Sequence, residues 1–179
     1  MDDRDRIERA STGRASCRGC RQRIAKGAWR FGLSVDNPFV DQEGATTLHW
    51  YHPVCGADRC PERFAAALLE TEHELPEHAR LARIAELGCN NPELAKVLRA
   101  EVAPTGRARC RQCREMIAKD TLRVAIEVET EAMSMASAFY IHLACAPARL
   151  GAAGLREKLE RVSEGLTAEH VAELRTVLG

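Results

Sequence analysis

Aromatic residues are scarce, at 4% of a 179-residue chain, which argues against one large aromatic-rich core. No run approaches the ~20 uninterrupted apolar residues that a membrane span needs. The first ten residues, MDDRDRIERA, are charged and lack the apolar stretch of a secretory signal. Membrane-spanning and secreted classes are therefore set aside, and an intracellular address is expected: cytoplasm or nucleoid in a prokaryote, nucleus in a eukaryote. There is no Gly-rich phosphate loop, no Ser/His/Asp set with a local signature and no paired carboxylates in a recognisable context, so no catalytic site is expected. Lysine is rare as well, 4 residues against 22 arginines, and arginine is the cation that forks best onto phosphate.

What is present is more specific. Eight cysteines in an intracellular chain point to metal or redox chemistry before structural disulfides. The net charge of zero conceals segregation. Arg14, Arg18, Arg21, Arg23, Lys26 and Arg30 form a basic island with no acid inside it. Arg107, Arg109, Arg111, Arg114, Lys119 and Arg123 form a second, against Glu115 and Asp120. The stretch from Phe64 to Ala103 is acidic on balance. A neutral total does not exclude a polyanionic partner, because a phosphate meets the local field.

The two islands are copies of one unit. TGRASCRGCRQRIAKGAWRFGLSV, Thr12 to Val35, aligns with TGRARCRQCREMIAKDTLRVAIEV, Thr105 to Val128, at a constant offset of 93. Each copy ends in His-x-x-Cys, in HWYHPVC and FYIHLAC. Within each, alternation at Trp29, Phe31, Leu33 and Val35, and at Leu122, Val124, Ile126 and Val128, reads as a strand. A turn-rich stretch and a second strand carrying the His follow. Helices are expected from Pro61, over Pro76–Leu87 up to Gly88, from Asn91 through PELAKVLRAEV, over Leu150–Glu164 and over Thr167–Leu178. The expected class is α+β: two small zinc-stabilised modules, each a short antiparallel sheet with helices, joined by a helical linker. The boundaries are a flexible arm over 1–10, a first module over 11–88, the linker over 89–103 and a second module over 104–179.

Cys17-x2-Cys20-x31-His52-x2-Cys55 and Cys110-x2-Cys113-x28-His142-x2-Cys145 are both complete Cys3His sets. A Cys-x-x-Cys turn aims two sulfurs at one metal, and Zn²⁺ is satisfied by four tetrahedral N/S ligands, so two Zn²⁺ per chain are expected. A closed site of this kind is structural and keeps no water for hydrolysis. Three thiolates and Zn²⁺ leave each centre at −1, so any positive field comes from the arginines. Cys60 and Cys89 have no counterpart in the other copy and read as packed thiols. His49, His73, His78 and His170 read as solvated or helix-face residues.

The combination of GRASC (Gly13 to Cys17), IAKG (Ile24 to Gly27) and WYHPVC (Trp50 to Cys55) resembles the zinc finger of poly(ADP-ribose) polymerase, a type also found in DNA ligase III. The second unit carries GRARC, IAKDTLRVAIEV and HLAC, with Phe139-Tyr140-Ile141 where the family prefers His-Trp-Tyr. The resemblance implies a protein that recognises DNA strand breaks by structure rather than sequence, with nicked, gapped or broken duplex as partner and a role in repair or damage signalling; with no catalytic site legible in the residues, a non-enzymatic binder is expected. It implies that Arg14 and Arg107 contact backbone phosphate, and that Arg18, Arg21, Arg30, Arg109 and Arg123 extend that track. It further implies that Phe39, Val40 and Leu48 stack on exposed bases in the first unit, and Met133 in the second, where Ser137 occupies the other stacking position. The physics agrees: an intact duplex buries its base faces, whereas a break exposes one, and stacking contributes ~1–3 kcal/mol per base. Two alternatives stay open. One is a zinc-scaffolded protein–protein interaction module that recruits a repair factor, and the other is a thiol-based redox or zinc sensor.

Overall fold

The computed structural model describes residues 4–37, 45–128 and 137–179. The chain divides into two compact units, residues 1–90 and 91–179. Phe39, Val40 and Met133 lie outside the described residues.

The first unit opens with a three-stranded antiparallel sheet in the order β1 (Arg6–Arg9), β2 (Trp29–Asp36), β3 (Thr46–Tyr51). Ile7 and Tyr51 both pair with Phe31, and Arg6 and Trp50 both pair with Gly32. Three helices follow: α1 (Pro53–Arg59), α2 (Pro61–Glu70) and α3 (His78–Asn90). Both α1 and α2 begin with proline, whose missing N–H costs nothing in a first helical turn. Phe64, Ala67 and Leu68 on α2, and Leu81, Ile84 and Ala85 on α3, recur at helical spacing and are buried with Ile7 and Phe31. Phe31 meets Phe64 edge-on, with centroids 5.3 Å apart. The helix expected to stop at Gly88 runs on to Asn90. Gly88 is there for close approach: a Cβ on it would lie 2.7 Å from Pro61 of α2.

The second unit repeats the sheet as β4 (Val97–Val102), β5 (Leu122–Val128) and β6 (Ser137–His142), antiparallel in that order. Ala100 pairs with Val124, Glu101 with Arg123 and Ala125 with Tyr140. Then come α4 (Ala146–Leu150), α5 (Leu155–Val162) and α6 (Ala168–Leu178). Val97, Ala100, Val124, Ile126, Ile141, Leu150, Leu155, Leu159 and Leu174 are buried. The single helix expected over Leu150–Glu164 is broken into two because Gly151 and Gly154 adopt positive φ, 78° and 74°. The helix expected from Thr167 is present, capped reciprocally by Thr167 Oγ1 accepting from the His170 N–H and His170 Nδ1 accepting from the Thr167 N–H.

Two further stretches differ from the sequence expectation. The segment after Asn91 is a 3₁₀ turn (Pro92–Lys96) that passes into strand β4, not a helix. Residues within the expected N-terminal arm form β1. Each edge strand supplies the third strand of its sheet, and Arg6–Arg9 and Arg99–Val102 lie at the same offset of 93 as the rest of the repeat. No described helix is long and apolar enough to cross a membrane.

Candidate metal centres and nucleic-acid interface

Each unit builds its Cys-x-x-Cys into a tight knuckle. Cys17 N–H donates to the Gln22 carbonyl (2.8 Å) and Arg21 N–H to the Cys17 carbonyl (2.8 Å); Cys110 donates to Glu115 (2.8 Å) and Arg114 to Cys110 (2.9 Å). Arg21 and Arg114 close the turns in left-handed conformations, φ 63° and 67°. A side chain in that region costs roughly 1–2 kcal/mol, so both copies place an arginine where glycine would be easier. Isolated bridges, Ser16 to Arg23 and Arg109 to Met116, clamp the base of each turn.

The strand delivers the other two ligands. Arg18 N–H donates to the Trp50 carbonyl (2.8 Å) and Arg111 N–H to the Tyr140 carbonyl (2.9 Å), which docks each knuckle on its strand end. His52 then caps α1 with extended backbone, leaving Cys55 in the first helical turn. His142 ends β6, and Cys145 follows in a 3₁₀ turn over Leu143–Cys145. The backbone N–H of His52 donates to Cys17 Sγ (3.3 Å) and that of His142 to Cys110 Sγ (3.4 Å).

The ligand atoms of Cys17, Cys20, His52 and Cys55 lie within 4.8 Å of one another, as do those of Cys110, Cys113, His142 and Cys145. Nδ1 of His52 is 3.3 Å from Cys20 Sγ; Nδ1 of His142 is 3.3 Å from Cys113 Sγ and 4.0 Å from Cys145 Sγ. Tetrahedral zinc at ordinary bond lengths would separate a sulfur from a nitrogen ligand by about 3.5 Å. Both donor sets therefore fit Zn²⁺, bound through Nδ1. That leaves His142 Nε2 to donate to the Met116 carbonyl, 3.2 Å away, a partner that fixes the ring's orientation. Cys60 and Cys89 belong to neither cluster, and burial pushes both thiols up.

Before metal enters, each cluster holds its negative charge unevenly. A hydrogen bond from the Cys55 thiol, against the cost of burial and with help from the backbone N–H groups of Cys20, His52 and Gly19, lowers Cys17 to about 4. Its neighbour Cys55 is pushed far up by that same hydrogen bond and by burial, and Cys20 is raised mainly by burial. In the second unit burial opposes ionisation of Cys110, yet the N–H groups of Cys113, His142 and Gln112 bring it down to about 6. Cys145 is raised to about 11, by burial first and then by Cys113 and Cys110. Only a cation lets all three thiols of a set ionise together.

Around these centres Arg14, Arg18, Arg21, Arg107 and Arg109 are exposed. Arg18 stands near enough to His49 to depress its imidazole, after the larger effect of burial. Leu48 is half-buried on β3, opposite Ser34. Arg30 and Arg123 are placed differently from the solvated cations a phosphate track calls for. They are 8% and 5% exposed, and each lies flat on a ring, Arg30 over Trp50 and Arg123 over Tyr140, both at 3.5 Å. Glu8 accepts from Arg30 Nε (3.0 Å) and Nη2, and Glu101 accepts from Arg123 Nε (3.0 Å) and Nη2. This carboxylate–arginine–ring stack ties the edge strand, the central strand and the His-bearing strand together, once per unit. The sequence reading did not single out Glu8, Glu101, Trp50 or Tyr140 as supports. Extending the 93-residue offset upstream, which aligns Glu8 with Glu101, is the signal that would have found the pair.

Residues 8–87 match the family model for the poly(ADP-ribose) polymerase and DNA-ligase zinc-finger region. Poly(ADP-ribose) polymerase 1 of Gallus gallus is 28% identical over 134 residues, 67% of this chain and 13% of its own length. The poly(ADP-ribose) polymerase of Drosophila melanogaster is 30% identical over 133 residues, 65% of this chain and 13% of its own. Poly(ADP-ribose) polymerase 1 of Danio rerio is 24% identical over 159 residues, 78% of this chain and 15% of its own. The chain thus spans about an eighth of the length of these relatives. The first unit thus matches the poly(ADP-ribose) polymerase-type zinc-finger region, and the internal repeat and the second complete Cys3His set give the chain a second copy of the same arrangement.

Proposed function

We propose that this chain binds DNA through its two zinc fingers and prefers duplex that is nicked, gapped or broken. The observation that carries the reading is the company each zinc centre keeps. In the first unit Arg14, Arg18 and Arg21 project from the knuckle and the segment leading into it, and no acid interrupts the stretch from Arg14 to Arg30. Arg107 and Arg109 repeat the arrangement in the second. Since each Cys3His centre is itself anionic when loaded, the positive field that a phosphate would meet here comes from these arginines.

Phosphate contacts from such residues hold the backbone without reading sequence. Selectivity for a break then comes from apolar side chains that reach a base face exposed there. Phe39, Val40 and Leu48 fill that role in the first unit and Met133 in the second. Arg30 and Arg123 contribute by holding the strands in register rather than as free cations. The zinc is structural, and the activity is binding, in repair or damage signalling, rather than turnover.

The alternative reading is a protein-interaction module that recruits a repair factor, and Leu69 on α2, 88% exposed, would lie on its surface. Salt separates the two. If DNA is the partner, log K falls linearly with log salt, and Arg14→Ala weakens binding to every DNA form while reducing the slope by about one. Binding that ignores salt and Arg14 favours the protein-interaction reading.

A further inference from the structure

The two knuckles are not equivalent, and their differences converge on one cleft in the second unit. Arg109, Arg111, Arg114, Phe139 and Tyr140, with Ala108 and the zinc ligand Cys110, line a cleft of about 610 Å³, and no carboxylate is among the described residues that line it. That volume lies in the range of small-ligand sites, ~300–1,000 Å³. The guanidinium carbon of Arg111 sits 3.6 Å from the centre of the Phe139 ring, so the ring holds the cation flat. The Arg111 backbone is fixed to the strand by its hydrogen bond to the Tyr140 carbonyl, and Arg109 folds across the turn to donate to the Arg114 carbonyl (3.3 Å). Arg114 is the left-handed residue of the knuckle, so its direction is set by the turn. In the first unit the corresponding residues are Ser16, Arg18, Arg21, His49 and Trp50. The second unit thus has one more arginine and a phenyl ring in place of an imidazole.

A guanidinium backed by a ring presents its other face as a stacking platform, and unpaired bases stack on such planes. Flanking arginines offer forked donors that match a phosphate. An intact duplex supplies phosphate to such a cleft but no free base face. We propose that this cleft takes one unpaired deoxynucleotide, its base on the Arg111–Phe139 platform and its phosphate on Arg109 and Arg114. The second finger would then hold a displaced or single-stranded nucleotide, which gives the tandem fingers different tasks. The inference rests on the DNA-binding reading for the source of the nucleotide, whereas the chemistry of the cleft applies equally to a strand and to a free nucleotide.

The test uses the full-length, zinc-loaded, isotope-labelled chain. It is titrated separately with a 5′-phosphorylated thymidine tetranucleotide, thymidine monophosphate, thymidine and inorganic phosphate. Amide resonances of Arg109, Arg111, Arg114, Phe139 and Tyr140 are expected to shift with the first two, with thymidine and inorganic phosphate each binding about tenfold more weakly or worse. Arg111→Gln and Phe139→Leu should each weaken the nucleotide about fivefold or more, with zinc content and the rest of the spectrum unchanged. A tetranucleotide that binds far tighter than the monophosphate identifies a DNA strand as the source, and equal binding identifies a free nucleotide. Absence of shifts at the cleft, shifts that survive both substitutions, or inorganic phosphate binding as tightly as the monophosphate would overturn the proposal. Nicked and intact duplex titrated into the same sample keep the two readings apart: loss of nick preference with the cleft shifts retained defeats break recognition alone.

Discussion

Gly32 lies directly opposite Trp50, and a Cβ built on it would sit 2.7 Å from the Trp50 ring. In the second unit the same cross-strand positions hold Ala125 and Tyr140. A small residue faces a large ring in one copy, and a slightly larger residue faces a smaller ring in the other. Trp50 cannot give way freely, because Arg30 covers it at 3.5 Å. Gly32→Ala should therefore destabilise the first unit by ~1–3 kcal/mol. Adding Trp50→Tyr, which recreates the pairing of the second unit, should recover most of that loss. Thermal unfolding of the two single variants and the double variant checks this; equal destabilisation with either ring at position 50 would contradict it.

The zinc centres make separate demands. Cys17→Ala or His52→Ala removes a ligand from a unit whose Cys-knuckle, strand end and first helix meet at the metal. Structural zinc contributes roughly 10–16 kcal/mol in finger peptides, which matches or exceeds the whole net stability of a domain, about 5–15 kcal/mol. Either variant should unfold the first unit and halve the zinc content from two per chain to one. Metal analysis with an amide spectrum is the check. A first unit that stays folded without metal would contradict a structural role.

Metal loading should release protons, and its sign follows from the uneven thiols. Near neutral pH without metal, Cys17 is already a thiolate, while Cys20 and Cys55, both raised, carry protons. Cys145, raised to about 11, carries one as well. Zinc requires all of them as thiolates, so the first site should release about two protons on loading. Zinc affinity should rise with pH and fall on acidification. Calorimetry in two buffers of different ionisation enthalpy measures the proton count, and a pH-independent affinity near neutrality would contradict the assignment.

The carboxylate–arginine–ring stacks predict that Arg30→Lys is not conservative. A lysine cannot donate to Glu8 from two nitrogens while lying flat on Trp50. A loss of about 1–2 kcal/mol is expected, and Arg123→Lys should cost a similar amount through Glu101 and Tyr140. Urea unfolding of each variant measures it. If both unfold like the parent chain but lose DNA affinity, Arg30 and Arg123 act as phosphate ligands rather than supports.

The zinc ligands were legible in the sequence because their spacing and repetition are local and specific, and the structure brings both sets together as spaced. The α+β class and central strands followed from period-two alternation. The first strand of each sheet did not. RIER and VLRAEV carry charges that suit a solvated helix face, and only pairing with β2 and β5 makes them strands. The break in the helix after Leu150 depends on two positive-φ glycines whose effect is set by packing around Asn91, which donates to the Leu150 carbonyl at 2.8 Å. Exposure was the other illegible quantity. Arg14 and Arg30 look alike in a basic island, yet Arg30, on the face of β2 opposite to Phe31, is covered by Glu8 and Trp50 from the two neighbouring strands.

The central claim is that the fingers recognise interrupted DNA. Equilibrium binding of the zinc-loaded chain to one labelled duplex, prepared intact, nicked and gapped, at two salt concentrations, tests it most directly. The account predicts tighter binding to the interrupted forms at both salts, a preference reduced by Phe39→Ala, and a uniform loss on raising salt. Equal binding to all three forms that fades with salt would contradict it and leave a basic surface without break recognition.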